Sequence, residues 1–435
     1  MNKILSTSLS IFTLLFVIMS AQTQNIEQKV IPLHDTSSLD KLISATANKE
    51  LVLLGEASHG THEYYVWRDS ISRRLISEHD FNFIAVEGDY ASLYHLNLYV
   101  KNLEGAAKSA REVLLNLKRW PTWMWANEEV EALTEWLRNH NDKLPQEKKV
   151  GFYGMDVYDE WNSKKVILDL LEEVNHPAYE FIKKQYNCFD PYKGDSWDYA
   201  HAVEAGKKDC ASATKNVAEY IRNNRHDFTM FSDDIYFYLL QNSIVVHNAE
   251  EFYRESIASI ESVSWNTRVH HMHGTINDLL NLYGDNSKGI VWAHNTHIGD
   301  AEYTSMRSSG ERNIGQLTRD GLGNDNVFLI GFTSYQGEVM AGSTWGGRMK
   351  KMTIPSAIIN SIEHELNQLE KDQFYLIYDE EERLEKNLFV TGNRAVGVVY
   401  NPKRDENQFV PTIVPLRYDA LFFFKKSTAL RVLRK

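Results

Sequence analysis

One stretch near the start of the chain constrains the fold most. It is the apolar run Leu51–Leu54 and the turn Gly55–Gly60 that follows it. Consecutive apolar residues are typical of a strand buried on both faces, and the two glycines indicate a sharp turn into a helix. The turn carries a carboxylate, Glu56, and an imidazole, His59. Because open α/β sheets bind ligands at the carboxyl ends of their strands, the sequence predicts that the chemistry lies here.

Apolar runs recur along the chain with helical patterns between them, which predicts a doubly wound sheet. The predicted strands are Leu51–Leu54, Phe83–Glu87, Val150–Met155, Gly289–His294 and Val327–Phe332, with Phe374–Ile377 and Ala395–Tyr400 as possible extensions. The helical pattern between the third and fourth strands is too long for one crossover. The predicted fold class is therefore α/β, an open, mostly parallel sheet flanked by helices, with an attached all-helical lobe. The corresponding division is a signal peptide (1–21), a catalytic α/β domain in two parts (22–160 and 286–435) and a mostly helical lobe (161–285).

Composition limits the partners. The chain has 435 residues, 43% of them hydrophobic, and a net charge of −12. These values favour an ordered globular protein. The negative charge argues against nucleic acid and against an anionic membrane surface as partners.

The N-terminus predicts export. A positive start at Met1–Lys3 precedes the apolar run Ile4–Met19, and small residues at Ser20–Ala21 offer a cleavage site. This pattern is typical of a secretory signal rather than a membrane span, although an uncleaved anchor is the alternative. The prediction is a periplasmic or secreted protein with no membrane association after cleavage. In an oxidising compartment Cys188 and Cys210, which flank a polar segment, are expected to form a disulfide.

Two helical patterns carry an arginine in an otherwise mostly apolar stripe. Arg68 lies in the first and Arg268 in the second. A buried guanidinium needs a partner, because an unpaired buried charge costs several kcal/mol. Each arginine is therefore expected to meet a carboxylate or another anionic group. The alternative is that it extends from a helix end to water.

Other predicted strands also end in polar side chains. Glu87, Asp156 and the pair His294 and His297 each come where an apolar run stops. One such residue alone is commonly a structural group, but the recurrence at several strand ends predicts a shared cleft. The stretch Trp120–Trp125 is expected to pack in the core, with the alternative that some of its rings line a substrate pocket.

This inventory limits the chemistry. The sequence has no Gly-x-Ser-x-Gly nucleophile elbow and no glycine-rich nucleotide loop. Histidines, carboxylates and arginines suit activation of water by an imidazole base, with an arginine stabilising the oxyanion. They suit equally a metal ion held by two histidines and a carboxylate. Spacing along the sequence leaves both alternatives open.

With these residues assembled, the chain resembles the erythromycin esterase family. The matching stretches cover most of the mature sequence and are Gly55–Gly60, Trp67–Arg68, Val86–Asp89, Trp123–Trp125 with Asn127–Glu129, Phe152–Asp156, Trp265–Arg268, Ala293–His297 and Arg394–Tyr400. The resemblance implies an α/β protein with a helical lobe, and a hydrolase that opens the lactone ring of macrolide antibiotics and so gives resistance to them. One departure is Val269, where the family commonly has an acidic residue.

The resemblance also implies roles for individual residues. His59 would be the general base that activates water, with Glu56 and Glu87 orienting it. The residues implied to complete the polar cleft and steady the oxyanion are Arg68, Arg268, His294 and His297. The substrate-binding candidates are Trp123, Trp125 and Asp156.

Three functional hypotheses follow. The first is a metal-free hydrolase of carboxylic esters, plausibly macrolide-type lactones, with a small-molecule ester or lactone as its partner and no cofactor. The second is a metal-dependent hydrolase of esters or peptides that uses Glu56, His59 and a later histidine to hold a divalent ion. The third is a binding or envelope-biosynthesis protein that has the same cleft without turnover.

Overall fold

The computed structural model describes residues 28–258, 261–384 and 388–434. The predicted signal peptide, residues 1–21, lies outside the described residues. In the described ranges, no helix combines the length and the apolar character that a membrane crossing requires.

A mixed sheet forms the centre of the described structure. The described strands, in chain order, are β1 (Ile31–Pro32), β2 (Leu51–Leu54), β3 (Phe83–Asp89), β4 (Gly151–Asp156), β5 (Gly289–Trp292), β6 (Val327–Gly342), β7 (Met349–Ile354), β8 (Gln373–Ile377), β9 (Thr391–Arg394), β10 (Phe409–Thr412) and β11 (Ala420–Ser427). All of them except β9 and β10 belong to this sheet. The spatial order is β1-β8-β11-β6-β2-β5-β3-β4, and β7 pairs with β6. Neighbours from β11 to β4 are parallel, whereas β1, β7 and β8 pair antiparallel. The predicted open, mostly parallel α/β sheet is confirmed.

The prediction of a further sheet strand at Ala395–Tyr400 is wrong. This segment lies beyond the carboxyl edge of the sheet, where Val396 forms a single bridge with Ser58 and Val399 forms one with Gly342. The strand just before it, β9, pairs instead with β10 in a separate antiparallel pair. The apolar residues of 395–400 therefore pack over the strand ends instead of extending the sheet.

The apolar run Leu51–Leu54 is buried throughout because both faces of the sheet are covered. Val52 and Leu54 belong to one core cluster, and Leu51 and Leu53 belong to a second cluster on the other face. This arrangement explains why the strand shows no alternation of polar and apolar residues. The helices that contribute to the first cluster include Asp40–Thr46, His62–His79, Tyr90–Lys101, Ala110–Leu115 and Glu128–Asn141, and those that contribute to the second include Glu261–Tyr283, Ile314–Leu322 and Ile362–Asn367.

The region between β4 and β5 is helical. Its helices before the last one are Glu160–Glu173, Tyr179–Tyr186, Ser196–Glu204, Ala211–Asn223 and Asp233–Ala258. They enclose a core of their own that includes Ile167, Ile182 and Val217. Cys188 and Cys210 form the expected disulfide within this region. The last helix, Glu261–Tyr283, packs on the sheet, and the division of the chain at 161–285 stays a prediction.

Arg68 is buried in the core and paired, as the sequence predicted. Its side chain is 0% exposed, and its Nη2 lies 2.8 Å from Oε2 of Glu56. The guanidinium also lies 4.2 Å from the centre of the Tyr65 ring and 4.6 Å from that of Trp292. A cation between two aromatic faces is stabilised by the ring quadrupoles, and the Glu56 carboxylate supplies the opposite charge.

We expect Arg68→Met to lower the free energy of unfolding by about 3 to 5 kcal/mol, because it leaves the carboxylate of Glu56 buried without its cation. Arg73→Met on the same helix is the matched control. Arg73 is 31% exposed and pairs with Asp69 near the surface, so its replacement should cost about 1 kcal/mol or less. Urea titrations of the two variants measure the difference, and equal losses would contradict the pairing of Arg68 with Glu56.

Candidate active site

The topology of the sheet brings the predicted polar residues together. Strands β2, β5, β3 and β4 are immediate neighbours, and their carboxyl ends are level. Leu54 pairs with Trp292, Trp292 with Val86, and Val86 with Gly154. Whatever follows these residues along the chain therefore emerges at one edge of the sheet.

The turn after β2 is shaped by close packing of its two glycines. A Cβ atom on Gly60 would collide with the backbone of Met340, whose N–H donates a 2.9 Å hydrogen bond to the Gly60 carbonyl. A Cβ atom on Gly55 would collide with the side chain of Asn295. Neither glycine has a positive φ. The glycines are thus required by the close approach of β6 and of the loop after β5, rather than by an unusual backbone conformation.

His59 is held by Glu56 and, through it, by Arg68. Its Nδ1 lies 2.8 Å from Oε1 of Glu56, and the other carboxylate oxygen of Glu56 is the one that binds Arg68. A carboxylate has no proton to give at neutral pH, so Nδ1–H is the donor and, when the ring is neutral, Nε2 carries the lone pair. The neighbouring hydroxyl of Ser58 is buried and bonded to Thr61. His59 is therefore the group of this turn that can accept a proton in the cleft.

Arg268 is the centre of a second buried network. Its Nε and Nη2 bind the two oxygens of Asp156 at 2.8 and 2.7 Å, and Nη2 also lies 2.8 Å from Oε1 of Glu87. The other oxygen of Glu87 accepts a 2.8 Å hydrogen bond from the backbone N–H of His294. Two strand-end carboxylates are thus the partners of Arg268, as the sequence predicts for this guanidinium.

The two histidines after β5 are both buried but differ in their contacts. His297 accepts a hydrogen bond at Nε2 from Nη1 of Arg268, at 3.1 Å, and its ring stacks on Trp265 with a centroid distance of 4.6 Å. The ring of His294 lies 4.8 Å from that of His59. At Nδ1, His294 faces the hydroxyl of Thr296 at 2.9 Å.

The pKa values of His59 and His294 are shifted in opposite directions. Burial by itself lowers the pKa of His59, but the negative charges of Glu87 and Glu56 outweigh burial and hold that pKa above its ordinary value. The pKa of His294 is well below its ordinary value, because burial and the adjacent charge of His59 both disfavour its protonation. Environments that push two pKa values apart in this way are typical of groups with different roles in proton transfer.

The acids of the site stay ionised. Burial raises the pKa of Glu87, yet His297, His59 and Arg268 outweigh it and hold that pKa well below its ordinary range. For Asp156 burial is likewise outweighed, and Arg268 lowers the pKa of the carboxyl. Burial lowers the pKa of Arg268, but the two carboxylates outweigh burial and hold that pKa well above its ordinary value, so the positive charge is permanent.

A cleft of about 140 Å³ opens above this network. Among the predicted site residues, those that line it are His59, Glu87, Asp156, Arg268 and Trp125. Glu56, His294 and His297 lie one layer behind, in contact with lining residues, and Arg68 lies behind Glu56. Trp123 does not line the cleft. It is 1% exposed and packs in the core on one face of the sheet, as expected for this stretch, whereas Trp120 and Trp125 of the same stretch line the cleft.

The rest of the cleft comes from residues that the sequence did not single out for chemistry. Arg119 pairs with Asp89 at 2.8 Å and lies 4.5 Å from the ring of Tyr158, whose ring is also 5.1 Å from Arg268. Trp345 reaches the cleft from the loop between β6 and β7. Asp89 carried a signal, since it comes two residues after the predicted strand that ends at Glu87. The others come from loops that no periodic pattern marks.

Arg417 holds the loop that bears His294 and His297 in place. This guanidinium is fully buried, and its Nη2 donates a 2.9 Å hydrogen bond to the carbonyl of Asn295, between the two histidines. The side chain of Asn295 in turn donates to the carbonyl of Phe332 on β6 at 2.7 Å. These contacts position both imidazoles without any contribution from the cleft itself.

The described residues contain no group of three His, Cys, Asp or Glu side chains arranged to hold a metal ion. The oxygens of Glu56 are engaged by His59 and Arg68, and those of Glu87 by Arg268 and the backbone of His294. A metal ligand set drawn from these carboxylates would have to break those contacts.

Solved structures with the same fold extend over nearly the whole chain. A succinoglycan biosynthesis protein is 18% identical, with 96% of this chain and 99% of that chain covered and a TM-score of 0.77. A protein from Bacillus cereus is 19% identical, with the same coverage and a TM-score of 0.79. A mutant of the erythromycin esterase EreC in its open conformation is 14% identical, with 91% and 95% covered and a TM-score of 0.67.

A family model extends the likeness from fold to sequence. The model described as erythromycin esterase matches residues 76–427, which is most of the chain. The matched range includes Glu87, Asp156, Arg268, His294 and His297, and the turn with Glu56 and His59 lies just before it. The chain therefore belongs to the erythromycin esterase family, a family of ester hydrolases.

Proposed function

We propose that the protein hydrolyses carboxylic esters, plausibly macrolide-type lactones, by attack of a water molecule that His59 activates. The observation that carries this proposal is the chain of contacts from Arg68 through Glu56 to His59, with the imidazole at the wall of the cleft. The carboxylate holds the tautomer in which Nε2 can accept a proton. The arrangement corresponds to the acid and histidine of a catalytic triad, with water in place of the serine.

The reaction follows from the positions of the groups. Nε2 of His59 takes a proton from water while the water oxygen bonds to the ester carbonyl carbon, which gives a tetrahedral oxyanion. When the intermediate collapses, the bond to the alkoxy oxygen breaks and the imidazolium returns the proton to that oxygen. An open ester gives an acid and an alcohol, and a lactone gives one hydroxy acid that is heavier by one water.

Arg268 is the lining residue suited to stabilise the oxyanion. Its Nε, both hydrogens of Nη2 and one of Nη1 are engaged by Asp156, Glu87 and His297, which leaves one N–H on Nη1 without a partner among the described residues. A fixed cation with a free donor stabilises developing negative charge without reorganising. We assign Glu87 and Asp156 to positioning Arg268, and Arg68 to positioning Glu56.

We further propose that the protein works outside the cytoplasm, in the periplasm or after secretion. The signal-like sequence 1–21 supports this location, and so does the disulfide between Cys188 and Cys210, because disulfides persist in oxidising compartments.

Product analysis tests the proposed function. The protein is incubated with a panel of macrolides and simple esters, and mass spectrometry is used to find products that have gained one water. The same assay with a chelator, followed by addition of a divalent ion, decides between the two hydrolytic hypotheses. Activity that disappears with chelator and returns with the ion would overturn the metal-free mechanism, and no hydrolysis of any ester would overturn the assignment as an esterase.

We expect His59→Ala to lower kcat by about 100- to 10,000-fold, which is the usual contribution of a general base. Substrate affinity should change little, since the cleft keeps its other walls. His270→Ala is the matched control, because His270 is exposed on the helix Glu261–Tyr283, away from the cleft lining. Steady-state kinetics and equilibrium binding of the same ester measure both effects. Hydrolysis that survives in His59→Ala at the wild-type rate would contradict the role of the imidazole.

The dependence of the rate on pH gives a second prediction. Only neutral His59 can take a proton from water, so the rate should fall as the pH drops through its pKa. Because Glu87 and Glu56 raise that pKa, the midpoint should lie above the ordinary value for histidine. Glu56→Gln removes one of the two charges and should shift the midpoint of kcat/KM to lower pH. A midpoint that does not move would mean that another group controls this limb of the profile.

A further inference from the structure

The lining of the cleft has two parts that differ in chemical character. His59, Glu87, Asp156 and Arg268 form the polar part, at the ends of the parallel strands. An apolar part of the lining comes from three separate loops, which contribute Trp120, Pro121, Met124, Trp345 and Val398. An ester has a polar carbonyl and two substituents that are commonly apolar, so the division of the cleft matches the division of such a molecule.

Trp345 is unusual in the apolar part of the lining because it is 64% exposed. Its ring lies 4.8 Å from that of Trp120, at an angle of 60°. Trp120 is itself fixed, since its indole N–H donates a 2.9 Å hydrogen bond to the carbonyl of Gly347 in the same loop as Trp345. The pair is therefore an aromatic surface held in place at the mouth of the cleft, with most of one ring facing water.

More apolar surface adjoins this pair. Val399 and Met349 are each 38% exposed. Both pair through their backbones with Gly342 at the end of β6, Met349 on one edge of that strand and Val399 on the other. The carbonyl of Val398, which follows the same path, accepts a 2.9 Å hydrogen bond from the N–H of Gly342. The apolar part of the lining thus continues outward onto the surface of the protein.

The size of the cleft decides where a large substrate has to lie. Its volume of about 140 Å³ is less than half of the roughly 300 Å³ at the lower end of the range for pockets that enclose drug-sized ligands. The cleft can hold the ester group and a few attached atoms. Any larger apolar part of the substrate must extend over the mouth, where Trp345 and Trp120 stand.

From this geometry we infer that Trp345, supported by Trp120, is a specificity-determining residue that binds the bulky apolar part of an ester substrate outside the cleft. The inference rests on the proposed esterase function and goes beyond it, because it names the substrate class: esters with a large, rigid apolar group rather than small or strongly polar ones. We assign Trp345 to binding and not to the chemical step, since its ring packs on Trp120 and an indole neither accepts nor releases a proton at neutral pH.

The test compares 2-naphthyl acetate with methyl acetate on the full-length mature protein. We expect Trp345→Ala to raise KM for the naphthyl ester roughly 3- to 10-fold, the range of one aromatic contact, with kcat nearly unchanged. For methyl acetate kcat/KM should stay within about twofold of wild type, because that substrate does not reach the mouth. Trp345→Phe, which keeps an aromatic face, should recover most of the loss.

Trp197→Ala is the matched control. Trp197 is 46% exposed and contacts one aromatic ring, Tyr253, at 5.1 Å, but it lies on the helix Ser196–Glu204 and not at the cleft. This variant should behave as wild type with both esters. An unchanged KM for 2-naphthyl acetate in Trp345→Ala, or an equal loss with methyl acetate, would overturn the inference while leaving the esterase function intact.

A binding measurement separates failure of the inference from failure of the proposed function. The amide N-(2-naphthyl)acetamide has the shape of the naphthyl ester but resists hydrolysis, and its binding is followed by calorimetry. We expect Trp345→Ala to weaken this binding by a factor similar to the rise in KM, even if wild type hydrolyses neither ester. An affinity that is equal in wild type and Trp345→Ala, or no binding to wild type, would overturn the inference directly.

Discussion

The structure of the site depends on one buried charge pair. Glu56 follows a strand that is covered on both faces, and its carboxylate has no access to water. Such an anion persists only if a cation and hydrogen-bond donors compensate for lost hydration. Arg68 provides the cation, and its own position between Tyr65 and Trp292 is part of the hydrophobic core. The proposed base is therefore oriented by the core of the domain and not by the loops around the cleft.

The same principle explains the second network. Asp156 and Glu87 end neighbouring strands and would repel each other across the edge of the sheet if nothing lay between them. Arg268 enters from the helix Glu261–Tyr283 and binds both. A sheet contributes anions at its edge, and helices packed on its two faces contribute the matching cations, Arg68 from one face and Arg268 from the other. The polar residues of the cleft are consequently positioned by contacts within the protein, without help from a substrate.

The parts of the site that come from strand ends and from buried arginines can be predicted from the sequence, and the parts that come from loops cannot. Strand-end residues such as Glu56, Glu87 and His294 were visible because each follows an apolar run, and the two arginines were visible because a charge interrupts an apolar stripe. Arg119, Tyr158 and Trp345 lie in segments without periodicity, and their place at the cleft follows from long-range packing. The segment Ala395–Tyr400 was predicted as a strand because a run of apolar residues looks alike whether it extends a sheet or covers its edge.

The buried carboxylates determine which of the neighbouring imidazoles, His59 or His294, takes up a proton. With ring centroids 4.8 Å apart, protonation of one ring disfavours protonation of the other, since like charges at that distance repel strongly in a buried site. The carboxylates decide which ring takes the proton. Glu56 contacts His59 directly, whereas Glu87 meets His294 through its backbone N–H and leaves that imidazole without an anionic partner. In the proposed mechanism the proton released by water therefore stays on His59, next to the intermediate that needs it back, while the ring of His294 stays neutral.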